Sequence, residues 1–435
     1  MEYRGKLMPR YFIWTIGCQM NKAESQRIAS YLDSVGYQVA ASFREAELVV
    51  LNTCVVRQRA EDKVLGTLGL LKGLKEEHPN LSILVTGCFV NSDIEGLKRR
   101  FPHVDFFFKP GAYSELTGWI QKRGIYSELS TQNLALRWKT SSPCAFVPII
   151  QGCDKFCSYC IVPYRRGREA SRPLEEIVCE VNGLVKQGVK EVTLLGQNVD
   201  SYGHDLPEHL DLADLLTELN DLGNLARIRF LTNHPRDMSQ KLIQAMASLD
   251  KVCEHLDLAV QSGDTDILRA MRRGYTVEQF RELIHIIREY IPQISLSTDI
   301  IVGFPGETEE QFEHTFSLLE EMRFDVVHVA AYSPRSGTIA WREYGDDVPA
   351  EAKKERLSRV EQLQANIATE INSAYQGEIV EVLVEGQKEG KWYGRTRGDK
   401  IVFCENDDDY SGRLVKIRIK KTSPWSLQGQ VEYNS

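Results

Sequence analysis

Cys153, Cys157 and Cys160 stand in one short run, QGCDKFCSYC at 151–160, with the spacing CxxxCxxC. Thiolates are the soft ligands of zinc and of iron–sulfur clusters. A closed structural zinc site needs a fourth protein ligand close by, and a disulfide framework does not suit a chain of 435 residues with ten cysteines. Three thiolates leave the fourth position open. An iron–sulfur cluster with one substrate-accessible iron fits this set better. A second set is dispersed: Cys18, Cys54 and Cys88 lie far apart, yet each closely follows an apolar run. A lone buried cysteine is usually inert packing, so the reading of these three as metal ligands rests on their recurrence at one topological position. Cys144, Cys179, Cys253 and Cys404 have no partner at ligand spacing and read as packing residues.

The elements that must position the second set are strands expected at 11–16, 47–51 and 81–86, followed by helical patterns such as 24–35 and 60–74. Strand-then-helix units build a parallel sheet, and open α/β sheets gather ligands at the carboxyl ends of their strands. Three cysteines at that edge can converge on one point. Their neighbours are GCQMN at 17–21 with Glu24 and Ser25, NTCVVR ending at Arg57, and Gly87 before Cys88.

Six more strands are expected at 145–151, 191–196, 227–231, 255–260, 295–302 and 325–332, with helical stretches between them. The cysteine loop follows the first of these. Polar words follow the others: Gln197 and Asn198 with Asp200 and Tyr202; Gln261 and Ser262 with Gly263; a glycine-proline-glycine turn at 303–306 before Glu307 and Thr308; and YSPR ending at Arg335. Glu307 and Thr308 also suit a helix cap, and glycine and asparagine are common turn residues. Arg165, Arg166, Arg168 and Arg172 come directly after the cysteine loop, where guanidinium forks can hold phosphates or a carboxylate.

A charged helix expected at 350–375 leads into short alternating strands at 378–386, 392–397, 400–404, 412–420 and 426–432, a small antiparallel barrel of OB-like size. Lys416, Arg418 and Lys420 share one face of their strand, and Val415, Ile417 and Ile419 the other. An exposed edge also carries lysine for solubility, and the acidic run 407–409 would repel phosphate. The net charge of −8 argues only against a basic surface overall. No apolar run approaches the roughly 18 residues of a membrane span, and no secretory leader pattern opens the chain. Two or three soluble domains in a cytosolic protein are the expectation.

In order along nearly the whole chain, these words resemble the radical-SAM methylthiotransferases, and LLGQNVDSYG at 194–203 resembles their tRNA-modifying MiaB branch. The resemblance implies a mixed α/β architecture: a Rossmann-like parallel-sheet domain at 9–125, a linker at 126–144, a partial (βα)6 radical-SAM barrel at 145–370, and a TRAM RNA-binding barrel at 373–435. It implies two 4Fe–4S clusters, one on Cys153, Cys157 and Cys160 that binds S-adenosylmethionine, the other on Cys18, Cys54 and Cys88. Tyr159 would lie beside the adenine of that cofactor. Gln197, Asn198, Gln261, Ser262 and Glu307 become candidate contacts for cofactor or substrate, and Arg165, Arg166, Arg168, Lys416, Arg418 and Lys420 candidate RNA contacts. Ala259 stands where the family has proline, and Asp399 where TRAM often has asparagine.

The implied reaction places a methylthio group on carbon 2 of N6-isopentenyladenosine, at position 37 beside the tRNA anticodon. That C–H bond is too strong and too weakly acidic for acid–base removal, so a radical cofactor must carry the step. The implied partners are tRNA and an electron donor such as flavodoxin or ferredoxin, for a cytoplasmic monomer without a membrane. Two alternatives remain: the same chemistry on threonylcarbamoyl-adenosine or a ribosomal protein, and an RNA-binding or iron-sensing protein that keeps clusters without turnover.

Overall fold

The computed structural model describes residues 8–56, 58–90, 93–123, 142–405 and 408–432. Arg57, Asp407 and most of the expected linker at 126–144 lie outside the described residues. The chain divides into two compact units, Met1–Lys139 with Ile161–Arg168, and Thr140–Cys160 with Glu169–Ser435.

In the first unit, β1 (Arg10–Thr15), β2 (Gln38–Val39), β3 (Leu48–Thr53), β4 (Ser82–Gly87) and β5 (Phe106–Phe107) form a parallel sheet in the order β2-β1-β3-β4-β5. Every residue of LVVLNT and SILVTG in β3 and β4 is buried, as central parallel strands covered on both faces require. Val49, Leu51, Ile83 and Val85 pack against Val64, Leu68 and Leu71 of α2 (Gln58–Glu77) on one face. Val50 and Leu84 meet Ile28, Leu32, Leu116 and Ile120 on the other. The first helix spans Gln19–Ser34 and so begins directly after Cys18, ahead of the expected start at 24. Because β1, β3 and β4 are neighbours, Cys18, Cys54 and Cys88 fall at three adjacent strand ends.

In the second unit, β6 (Cys144–Pro148), β9 (Glu191–Leu195) and β10 (Arg227–Phe230) form one parallel sheet, and β11 (His255–Asp257), β12 (Ser295–Val302) and β13 (Val326–Ala331) another. Parallel bridges Ile228↔Val252 and Asn233↔Leu258 join the two, so the six strands follow each other in chain order as a partial barrel. A short antiparallel pair, β7 (Ile150–Gln151) with β8 (Ala170–Ser171), flanks the cysteine loop. The outer helices bury one stripe each. In Leu174–Lys186 that stripe is Ile177, Glu180, Val181, Leu184 and Val185. Cys179 falls on the opposite side and is exposed, which corrects its reading as a packing residue.

The last five strands, β14 (Ile379–Lys388), β15 (Lys391–Arg395), β16 (Ile401–Cys404), β17 (Leu414–Thr422) and β18 (Leu427–Val431), close in the order β14-β15-β16-β18-β17. Its pairs are antiparallel except β16 with β18. An odd number of strands cannot close without one parallel pair. Val382, Val384, Val402, Ile417, Ile419 and Leu427 fill it.

Arginines seat this barrel on the amino-terminal mouth of the larger one. Arg227 Nη1 donates to the carbonyl of Arg395 at 2.8 Å, and Arg229 Nη1 to that of Arg397 at 2.8 Å. Asp399, at φ +63, occupies the left-handed region that asparagine and aspartate tolerate, and its carboxylate accepts from Arg395 at 3.0 Å. The connecting helix Ala350–Ser373 packs along β13, and Asn372 Nδ2 donates to the carbonyls of Ser423 and Pro424. Among the described residues no helix is long and apolar enough to cross a membrane.

Candidate metal centres

The strand-end motif of the first unit is a set of clamps. Gly17 has φ +127, and a Cβ there would stand 2.7 Å from Cys54 Cβ and 2.9 Å from Asn21 Nδ2, so only glycine lets β1 turn this close to β3. Asn21 Nδ2 donates to the carbonyls of Ile16 and Thr53 at 2.8 and 2.9 Å, tying the ends of β1 and β3 together. Asn52 Nδ2 answers with bonds to the Asn21 carbonyl and Ser25 Oγ at 2.8 and 3.0 Å. The Cys88 amide donates to the Thr53 carbonyl at 2.8 Å, which adds β4 to the same knot.

The Arg166 guanidinium completes it. Nη1 donates to Glu24 at 2.7 Å, Nη2 to Asn21 Oδ1 at 2.9 Å, and Nε to Cys88 Sγ at 3.3 Å. Its side chain is 2% exposed. A phosphate would have to break a buried ion pair to reach it. Arg165 is half-buried beside Cys88 and Glu61, and Arg168 is exposed on the same segment.

In the second unit the cysteine loop is held from the strand ends around it. The Gly152 amide donates to Gln197 Oε1 at 2.6 Å, and Lys155 Nζ pairs with Asp237 at 2.7 Å. Asp237 in turn accepts from Asn198 Nδ2 at 2.6 Å. Asp154 and Glu169 exchange amide-to-carboxylate bonds at 3.1 and 3.2 Å. Ser158 is held by the carbonyls of Ala270 and Met271. Tyr159 packs against the cluster of Ile267, Met271, Phe304, Tyr332 and Ala340. Arg273, buried beside this loop, donates from Nη1 to Cys157 Sγ at 3.4 Å, from Nη2 to the Ala259 carbonyl at 2.5 Å and from Nε to Tyr275 Oη at 3.1 Å.

All ten cysteines are free thiols. Burial pushes Cys54 and Cys153 each up to about 11 and raises Cys88 as well, so these thiols keep their protons unless a cation draws off the negative charge. Cys54 lies within electrostatic reach of both Cys88 and Cys18, and Cys153 of Cys157. Among the described residues no three ligating side chains close on a single metal ion. A cluster makes a different demand, one thiolate for each of three irons, and the donor chemistry of both triads fits it.

Three family descriptions divide the chain: the Radical SAM superfamily at 147–319, Uncharacterized protein family UPF0004 at 10–109, and the TRAM domain at 373–431. Over 425 residues the chain is 53% identical to the tRNA-2-methylthio-N(6)-dimethylallyladenosine synthase of Dehalococcoides mccartyi (strain CBDB1), covering 98% of this chain and 99% of that relative. The chain belongs to that synthase family. The synthase of Roseiflexus sp. (strain RS-1) is 47% identical, over 97% of this chain and 89% of its own. Among solved structures, the radical S-adenosylmethionine methyltransferase TsrM of Kitasatospora setae superposes with a TM-score of 0.55 at 15% identity, covering 77% of this chain and 74% of that one. OxsB, a cobalamin-dependent S-adenosylmethionine radical enzyme, gives 0.53 at 13% identity over 82% of this chain and 56% of its own. At such identities the likeness is one of fold.

In this member of the synthase family, several residues that the sequence offers as cofactor contacts bond to neighbouring loops. Asn198 is 2% exposed and tied to Asp237, and Ser262 is fully buried against Thr315 and the Asp264 amide. Gln197 holds the start of the cysteine loop. Gln261, at φ +76, bonds through its backbone to Asp299 and Ile301. Glu307 does not cap the following helix. Thr308 does, in a box with Gln311, while Glu307 accepts from the Gly303 amide at 2.6 Å and Arg356 at 2.8 Å. Arg172 is bound to Glu180 and the Pro148 carbonyl.

The basic stripe of β17 is also less basic than its sequence. Arg418 pairs with Glu432, and Lys416 stands opposite Glu381 in the ladder. Lys420 is exposed. Arg273, His234 and Asp237 escaped the sequence reading. MRRGY at 271–275 carries two adjacent arginines and a tyrosine, with nothing local to say which one turns inward.

Proposed function

We propose that this chain places a methylthio group on carbon 2 of N6-isopentenyladenosine beside the anticodon of tRNA. Full-length identity to a synthase named for that product carries the reading. Cys153, Cys157 and Cys160 would hold a 4Fe–4S cluster, and Cys18, Cys54 and Cys88 a second one. When bound, the first supplies an electron that cleaves S-adenosylmethionine reductively, and the second presents sulfur. The chain's own part is positional. Gln197, Asp237 and Glu169 fix the cysteine loop, Tyr159 lends it an aromatic face, and Asn21, Asn52 and Arg166 keep the three other strand ends together. An external one-electron donor of flavodoxin or ferredoxin type, a monomeric state and a cytoplasmic address belong to the same reading.

The test is mass spectrometry of tRNA nucleosides from a strain lacking this gene, alone and complemented. The expected result is loss of 2-methylthio-N6-isopentenyladenosine with accumulation of N6-isopentenyladenosine, restored on complementation. Unchanged nucleosides would overturn the reading. Loss of the methylthiolated threonylcarbamoyl nucleoside instead would move the enzyme to the other substrate.

A further inference from the structure

Each cysteine triad carries one buried arginine with an N–H directed at a ligand sulfur: Arg166 on Cys88 at 3.3 Å, Arg273 on Cys157 at 3.4 Å. The two arginines come from different units and different local folds, yet each is held so that its charge cannot swing away. Arg166 is fixed by Glu24 and Asn21. Arg273 is fixed by the Ala259 carbonyl and the Tyr275 hydroxyl. They are 7% and 5% exposed, so water screens neither.

The two guanidinium groups differ in what holds them. Arg166 has a carboxylate, Glu24, at 2.7 Å. The bonds that hold Arg273 come from a carbonyl and a phenol. A buried cation bonded to a thiolate favours whichever redox state carries more negative charge, and an adjacent carboxylate offsets that preference.

We propose that Arg166 and Arg273 are the positioning residues that set the reduction potentials of the two clusters, and that Glu24 lowers the effect at Cys88 whereas the carbonyl and phenol that hold Arg273 carry no charge to do so at Cys157. The proposal rests on the reading of both triads as cluster ligands. The step concerned is the entry of one electron into a cluster, with no bond made or broken. The Arg273 charge therefore makes the cluster on Cys153, Cys157 and Cys160 easier to reduce.

The test is a potentiometric titration followed by electron paramagnetic resonance, with dithionite as reductant, on full-length reconstituted protein carrying one cluster at a time. The C18A/C54A/C88A background reports the barrel centre, and C153A/C157A/C160A the other. R273M is expected to shift the reduction equilibrium about tenfold toward the oxidised form, about 59 mV for one electron. R273K, which keeps the charge, should recover most of that. R166M should shift the other centre the same way by less than R273M shifts its own, and E24Q should move it in the opposite direction. If R273M holds no iron, R273K and E24Q carry the decision. Midpoints moving less than twofold in E24Q and in every arginine variant that holds its cluster overturn the proposal. Absence of iron and sulfide from either parent background overturns the cluster assignment instead, a separate failure.

Discussion

Arg397 of the carboxyl-terminal barrel grips Glu254 at the amino end of the larger barrel with a two-point fork, Nε to Oε2 and Nη2 to Oε1, both at 2.7 Å. Glu254 sits one residue before β11, so the fork ties the small barrel to the strand layer rather than to a surface loop. Both side chains are about a third exposed, at 28% and 35%. A bidentate, partly desolvated pair of this kind couples by about 1–2 kcal/mol. A double-mutant cycle on R397A and E254A, read by urea unfolding, checks this. Additive effects would show that the neighbouring bonds of Arg227 and Arg229 hold the contact alone.

Asp200 gives a pH signature. Burial pushes its carboxyl up to about 7, although Asn233 and the His234 amide donate to it. The folded protein thus keeps this proton to higher pH than the unfolded chain does. The stability linked to it is fully present below about pH 4 and drains away as pH rises through 7. Asp200→Asn removes that loss, and Asn233 Oδ1, which has no bonded donor, can accept from the new amide. The variant should exceed the parent by about 2 kcal/mol at pH 8, with the gap closing toward pH 4. A gap independent of pH would show that Asp200 is ionised throughout.

Gly17→Ala tests the clamp at the first triad. The added methyl meets Cys54 Cβ at 2.7 Å at a φ of +127, so β1 or Cys54 must move. The expected cost is about 2–3 kcal/mol, with loss of the iron proposed for Cys18, Cys54 and Cys88 and retention of the iron proposed for the other triad. Iron analysis of the anaerobically reconstituted variant decides. A full complement of both would mean that the strand ends tolerate the shift.

Substituting β17 one residue at a time separates RNA contact from surface charge. Lys420→Ala should lower the salt slope of tRNA affinity by roughly 0.7–0.9 if that lysine meets a phosphate. Arg418→Ala should leave the slope unchanged, because Glu432 already holds Arg418. Affinity measured across a salt series gives both slopes. An effect of Arg418→Ala alone would mean that RNA displaces Glu432.

The strands of all three segments were legible because periodicity and burial agree: the runs at 48–53 and 82–87 are apolar and fully buried, and the alternation around Ile417 and Ile419 marks a barrel wall. The placement of Cys18, Cys54 and Cys88 at strand ends was legible because each follows an apolar run, while Cys153, Cys157 and Cys160 stood out by their spacing in one loop. Partnership was not. Arg166 belongs to a basic run in sequence, and only folding brings Glu24 to it from 142 positions away. Ser262 and Asn198 read as ligands because they follow strands, yet the same place suits a residue that braces the next loop. A local word reports where a residue lies along the chain and leaves open which neighbour claims its hydrogen bonds.

The first unit also sets a timetable for synthesis. Its last piece is Ile161–Arg168, made well after the strands it completes. A ribosome adding roughly 5–20 residues each second finishes β4 several seconds before Arg166 can leave the tunnel. Until then Glu24 lacks its guanidinium partner. By the time Arg166 arrives, Cys153, Cys157 and Cys160 have already been translated. The nascent chain has therefore produced both cysteine triads before Arg166 arrives, and a fragment ending at 123 would leave the first set without its arginine.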